Sequence, residues 1–170
     1  MAAPAALRRL VEWGLKAAAA LAFLAPLATR ITLGHAFFLT GRGKLENIEN
    51  TVEFFAAQNI PFPAVNAAFV SRLEYYGGIL LILGLLTRLI AAGLASTMLV
   101  ALLTERGQFF ESWKPTGEVG PTDIASWVFL LLLGWIVLYG PGLVSADHFL
   151  ARWLGLPTAE KPPSPAREAA

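Results

Sequence analysis

Residues 17–40 read AAAALAFLAPLATRITLGHAFFLT, 24 residues with one charged side chain, Arg30, and one proline, Pro26. A bilayer core is crossed by about 20 apolar residues in a helix, so this stretch spans with length to spare for tilt. Pro26 has no amide hydrogen, and its ring crowds the carbonyl one turn earlier, which predicts a kink there. The same apolar character recurs at 67–86, 89–104 and 122–139. The fold class read from this pattern is all-α, a four-helix transmembrane bundle with short amphipathic surface helices.

Bulk composition agrees. Of 170 residues 56% are hydrophobic and 15% charged, against roughly a quarter charged in soluble domains. A soluble chain of this length has no core large enough to hide so much apolar surface, so lipid must act as part of the solvent. A net charge of +1 lacks the dense basic face a nucleic-acid binder needs. There are no cysteines, which removes disulfides, thiol catalysis and thiolate-held clusters.

The intervening segments are short. Residues 1–16 place Leu7, Leu10, Val11 and Leu15 at helical spacing among Arg8, Arg9, Glu12 and Lys16, an amphipathic juxtamembrane segment. A secretory signal is the rival reading, but the apolar run resumes after Arg30 instead of stopping at a cleavage site. Residues 46–58, ENIENTVEFFAAQ, form a second amphipathic helix, ended by Ile60-Pro61-Phe62-Pro63. Residues 105–121 are a polar loop whose Phe109, Phe110 and Trp113 suit a headgroup layer. Ser145 is placed to cap a short helix carrying Phe149, Leu150, Trp153 and Leu154. The domain thus runs over 17–155, followed by a proline-rich tail, 156–170, expected to be disordered. Arg8, Arg9, Lys16, Arg88, Arg152, Lys161 and Arg167 fall on one side, against Arg42, Lys44, Arg106 and Lys114 on the other. That bias places both termini in the cytoplasm.

A charge inside a span costs about 2.5–3.5 kcal/mol on insertion scales and needs a reason. Counted from the span ends, Arg30 and Glu74 lie at similar depth, so they are expected to approach each other inside the bundle. Two readings stand: a structural ion pair that fixes register, or a polar pocket for a ligand or proton. Gly34, Gly41 and Lys44 share the face of Arg30, and Gly77 and Gly78 flank Glu74, so these positions are read as structural, bringing helices close. His35 and His148 are separated by most of the membrane and cannot share one haem. No Cys/His cluster offers a metal site.

The order and spacing of three blocks add a resemblance. Arg30-x3-Gly34-x6-Gly41-x2-Lys44-Leu45, then Glu74-x2-Gly77-Gly78-x2-Leu81-x2-Gly84-Leu85-x-Thr87-Arg88, and then Gly140-Pro141-Gly142-x2-Ser145-x-Asp147 resemble the DoxX family of small bacterial membrane proteins. The resemblance implies a multi-pass protein of the bacterial inner membrane. It also implies a place in oxidoreductase systems, since related DoxD-type proteins form the membrane subunit of a thiosulfate:quinone oxidoreductase. The expected function is therefore a membrane subunit that delivers electrons to quinone and depends on a partner for them. Glu74 and His35 are the candidates for proton transfer; Arg30, Phe37, Phe38 and Trp127 are the candidates for holding the quinone. No covalent cofactor is expected. The alternative is a non-catalytic membrane anchor or assembly partner in a stress-response complex, acting with a partner protein or as a homo-oligomer. A permease ranks below both, because four short helices show no internal duplication.

Overall fold

The computed structural model describes residues 5–115 and 119–156. The expected tail lies, from residue 157 onward, outside the described residues. All regular structure among the described residues is helical: α1 Ala5–Leu21, α2 Leu24–Glu46, α3 Ile48–Ala57, α4 Pro63–Leu83, α5 Thr87–Thr104, α6 Arg106–Glu111, α7 Ala125–Tyr139 and α8 Ala146–Trp153. Two stretches, Ala6–Glu46 and Thr87–Thr104, are long and apolar enough to cross a membrane; Ala125–Tyr139 is apolar but shorter. Pro63–Leu83 carries Arg72 and Glu74.

The boundaries follow local chemistry. The chain breaks between α1 and α2 at Ala22 and Phe23, four residues ahead of Pro26, where the proline ring would meet a helical carbonyl. Gly41 and Gly43 do not end α2, which continues to Glu46. Pro63 opens α4, a position where its missing amide hydrogen costs nothing. Ser145 caps α8 by accepting the His148 amide at 3.1 Å, as its place in the sequence predicts. The polar loop after α5 contains the short helix α6, whose Phe109 packs at a tilt against Trp127 of α7, 5.1 Å between ring centres.

Two helix pairs make the bundle: α2 packs along α4, and α5 along α7. Leu33, Phe37, Leu81, Ala91, Leu94, Leu133 and Ile136, drawn from all four helices, form the buried core. Small residues set the α2–α4 distance. A Cβ on Gly78 would lie 2.5 Å from the Phe38 amide nitrogen, and one on Gly34 2.7 Å from the Gly78 carbonyl oxygen. These are backbone-to-backbone contacts that only glycine permits. The contacts Gly34–Gly78 and Gly41–Glu74/Tyr75 fix an antiparallel register in which Arg30 stands opposite Gly84.

That register corrects the expected meeting of Arg30 and Glu74. Arg30 lies against Gly84, ten residues from Glu74 along α4, or about 15 Å. The spans read from the sequence stopped α2 at Thr40 and began the next at Ala67. The helices run on to Glu46 and back to Pro63. Gly41 lies against Glu74 and Tyr75, more than two turns farther along α4 than a pairing of Thr40 with Ala67 would set it.

Candidate functional site: a polar cavity beside a lysine-paired buried glutamate

The partner of Glu74 is Lys44. Lys44 Nζ donates to Glu74 Oε1 at 2.6 Å, with the glutamate side chain 1% exposed and the lysine 32%. α2 delivers the lysine and α4 the carboxylate. Gly41, one turn before Lys44, brings the two backbones together: a Cβ there would overlap the backbone of Glu74 and Tyr75. The other carboxylate oxygen, Glu74 Oε2, is buried and accepts no hydrogen bond among the described residues.

Glu74 and Lys44 line a cavity of about 910 Å³ between α2, α3, α4 and α5. Near the vertex of the α4–α5 hairpin, Gly77 packs on Ile90 and Leu94, and Gly93 on Leu73. Farther along, Asn66, Val70, Thr97 and Ala101 face the cavity instead. α3 lies across its mouth, contributing Asn50, Thr51, Phe54 and Phe55. Thr97 and Ser96 already donate to carbonyls of their own helix, Leu94 at 2.8 Å and Gly93 at 2.6 Å, and Asn66 donates to the Pro61 carbonyl at 2.6 Å. Among the groups left to meet a ligand are the remaining Lys44 protons and the side-chain amides of Asn50, Gln58 and Asn59, with the unpartnered Glu74 oxygen buried behind them. A cavity-lining carboxylate with one oxygen held by an ammonium and the other buried without a partner can accept a hydrogen bond from a ligand hydroxyl, or exchange a proton with it, once a small local shift opens that oxygen to the cavity.

The other sequence-predicted residues are dispersed. Arg30 is 1% exposed and packs at the far end of α2, where its Nη2 donates to the Val144 carbonyl. His35 is exposed on the outer face of α2. Phe37 is in the core, edge-on to Phe129 at 5.5 Å, and Phe38 packs on Tyr75 at 5.1 Å. Trp127 belongs to the α6–α7 contact. None of these five lines the cavity. Gly34, Gly41, Gly77 and Gly78 do act in helix packing.

A second cluster escaped the sequence reading. The Asp147 carboxylate accepts the Leu86 amide at 2.7 Å and the Thr87 amide at 2.8 Å, while its own amide donates to the Gly84 carbonyl at 2.9 Å. It thus caps α5 from 60 residues away, holding Leu86 at φ 50°, a left-handed conformation that is strained without glycine. The signal was present in part: α5 starts without a Ser, Thr, Asp or Asn of its own at the cap.

The fold and site define a helical membrane protein with a cavity beside a buried glutamate paired with a half-buried lysine. It belongs to the DoxX family. The family model, described as DoxX, matches residues 25–106. Escherichia coli (strain K12) "Inner membrane protein YphA" is 30% identical over 127 residues, 72% of this chain and 87% of that protein. Bacillus subtilis (strain 168) "Putative oxidoreductase CatD" is 33% identical over 78 residues, 46% of this chain and 57% of that protein. The chain thus spans little more than half the length of CatD, but most of YphA. No solved structure matches it.

Proposed function

We propose that this chain is a four-span inner-membrane subunit of an oxidoreductase system, binding a quinone head group in the Lys44–Glu74 cavity. α2, α4, α5 and α7 are the spans, and the basic-residue bias puts both termini in the cytoplasm. The names carried by YphA and CatD support the membrane and the redox class respectively. The single observation that carries the reading is the buried, unpartnered Glu74 Oε2 at the cavity wall.

The residues fit such a head group. The volume lies within the range of small-molecule pockets, roughly 300–1,000 Å³. Phe54, Phe55 and Phe69 offer apolar walls, and Lys44 offers a charged donor for a carbonyl oxygen. A quinone takes up two electrons and two protons when reduced. The electrons come from the redox centre of a partner protein. Glu74 would relay one proton to the quinone oxygen beside it and Lys44 would orient that oxygen, the second proton coming from water at the open side of the cavity. In this seat the pocket role expected of Arg30, Phe37, Phe38 and Trp127 passes to Lys44, Asn50, Phe54, Phe55 and Phe69. Of the two proton-transfer candidates Glu74 keeps the role and His35, exposed on the outer face of α2, does not.

The test is quinone content of the full chain purified in mild detergent, measured by mass spectrometry. Near-stoichiometric quinone in the wild type, falling to lipid background in Glu74→Gln with an unchanged circular-dichroism spectrum, supports the reading. Background quinone in both proteins overturns it and leaves the anchor or assembly role. That role draws on the exposed Phe149 and Trp153 of α8, 66% and 81% accessible, as a surface for lipid or a partner.

A further inference from the structure

The outer face of α4 carries a feature the cavity does not use. Ala64, Val65, Ala68, Phe69, Arg72 and Leu73 line a shallow groove, widely open to the surroundings, of about 690 Å³ on that face. Val65 and Phe69 are 69% and 60% exposed, and Arg72 is exposed with them. In lipid the apolar members need no cover. The arginine does, because a guanidinium facing hydrocarbon costs several kcal/mol unless it reaches a polar partner.

Among the described residues no carboxylate lies within ion-pair distance of Arg72. Its Nη1 donates to the Ala68 carbonyl at 2.9 Å, one turn toward the start of α4. The side chain is therefore folded toward the end of the helix crossed by α3, whose amphipathic character marks the membrane surface. Arg72 stands nine residues after Pro63, about 13 Å along the axis, and reaching back one turn brings its charge toward the headgroup layer.

We propose that this groove is a binding site for an anionic phospholipid, its phosphate on Arg72 and an acyl chain along Val65, Ala68 and Phe69. The proposal rests on α4 crossing the membrane, not on the quinone. Charge complementarity selects the occupant: a zwitterionic lipid offers the phosphate together with a cation that Arg72 repels, an anionic one offers the phosphate without it. Phe69 lines both this groove and the inner cavity, so a lipid seated here backs the cavity wall from outside.

The experiment is native mass spectrometry of the purified full chain titrated with phosphatidylglycerol or phosphatidylcholine. Wild type should prefer phosphatidylglycerol by about fivefold, the worth of one arginine near an anionic surface. Arg72→Gln should abolish the preference and Arg72→Lys restore most of it, while bound quinone stays unchanged. Equal affinity for the two lipids in wild type, or a preference that survives Arg72→Gln, overturns the proposal. So does an Arg72→Gln protein that keeps its lipid but loses a bound protein partner, since the groove then holds a carboxylate-bearing helix.

Discussion

The two ends of the α2–α4 pair each bury a charge, and they use it in opposite ways. At one end Arg30 is enclosed by protein. Gly84, Val144, Ser145 and Asp147 gather around it from two distant chain turns, and Pro26 packs on Gly142 nearby. At the other end Glu74 is as deeply buried as Arg30, yet its side chain is part of the lining of a cavity of about 910 Å³. Burial alone therefore does not separate a structural charge from a functional one. The surrounding volume does: where protein fills the space, the charge organises turns, and where space is left, it is available to a ligand.

The sharpest way to break this comparison is to crowd the filled end. Gly84 adopts φ 71°, and a Cβ there would overlap the Arg30 guanidinium and lie 2.7 Å from Ser145 Cβ. Gly84→Ala combines backbone strain with overpacking and should cost about 3 kcal/mol or more. Thermal unfolding in detergent should show a large drop, or no folded protein should be recovered. A Gly84→Ala protein as stable as wild type would mean that Arg30 has room to move, and the two ends would no longer differ.

Removing the cap is the next largest effect. Asp147→Ala leaves two amides and a left-handed leucine without their acceptor, at about 2 kcal/mol. Because the cap joins α8 to the α4–α5 turn, proteolysis at that turn should accelerate while quinone content per folded molecule stays constant. Quinone loss in step with Asp147→Ala would show that the two ends are coupled.

How far the sequence told this story depends on which end is considered. Helix identity was legible from apolar runs, and the breaks at Pro26 and at the Pro61–Pro63 segment from missing amide hydrogens. The glycine faces of α2 and α4 were legible from their spacing. Register was not, because the depth comparison relied on span ends, and the span was ended at Thr40 while α2 runs on to Glu46. Lys44 had already been placed on the face of Arg30 and Gly41, so its pairing with Glu74 needed only the correct slide of α4. The Asp147 cap was illegible for a different reason: it is a contact between residues some 60 positions apart that no local periodicity encodes.

The open end yields the finest test, since two glycines two residues apart on α2 face different surroundings. Gly41 touches the backbone of α4, whereas a Cβ on Gly43 meets nothing within 4 Å. Gly41→Ala should push α2 from α4, destabilise by about 2 kcal/mol and separate Lys44 from Glu74, lowering bound quinone. Gly43→Ala should do the reverse in sign and be small, stabilising α2 by about 0.5–1 kcal/mol through helix propensity alone. Paired melting curves and quinone contents read both at once. If the two variants behave alike, α2 is not held at the cavity end by its glycine contact, and the Lys44–Glu74 pair owes its position to its own attraction instead. If they diverge as expected, backbone approach at Gly41 positions the pair, and the cavity beside it is as fixed a part of the fold as the filled end around Arg30.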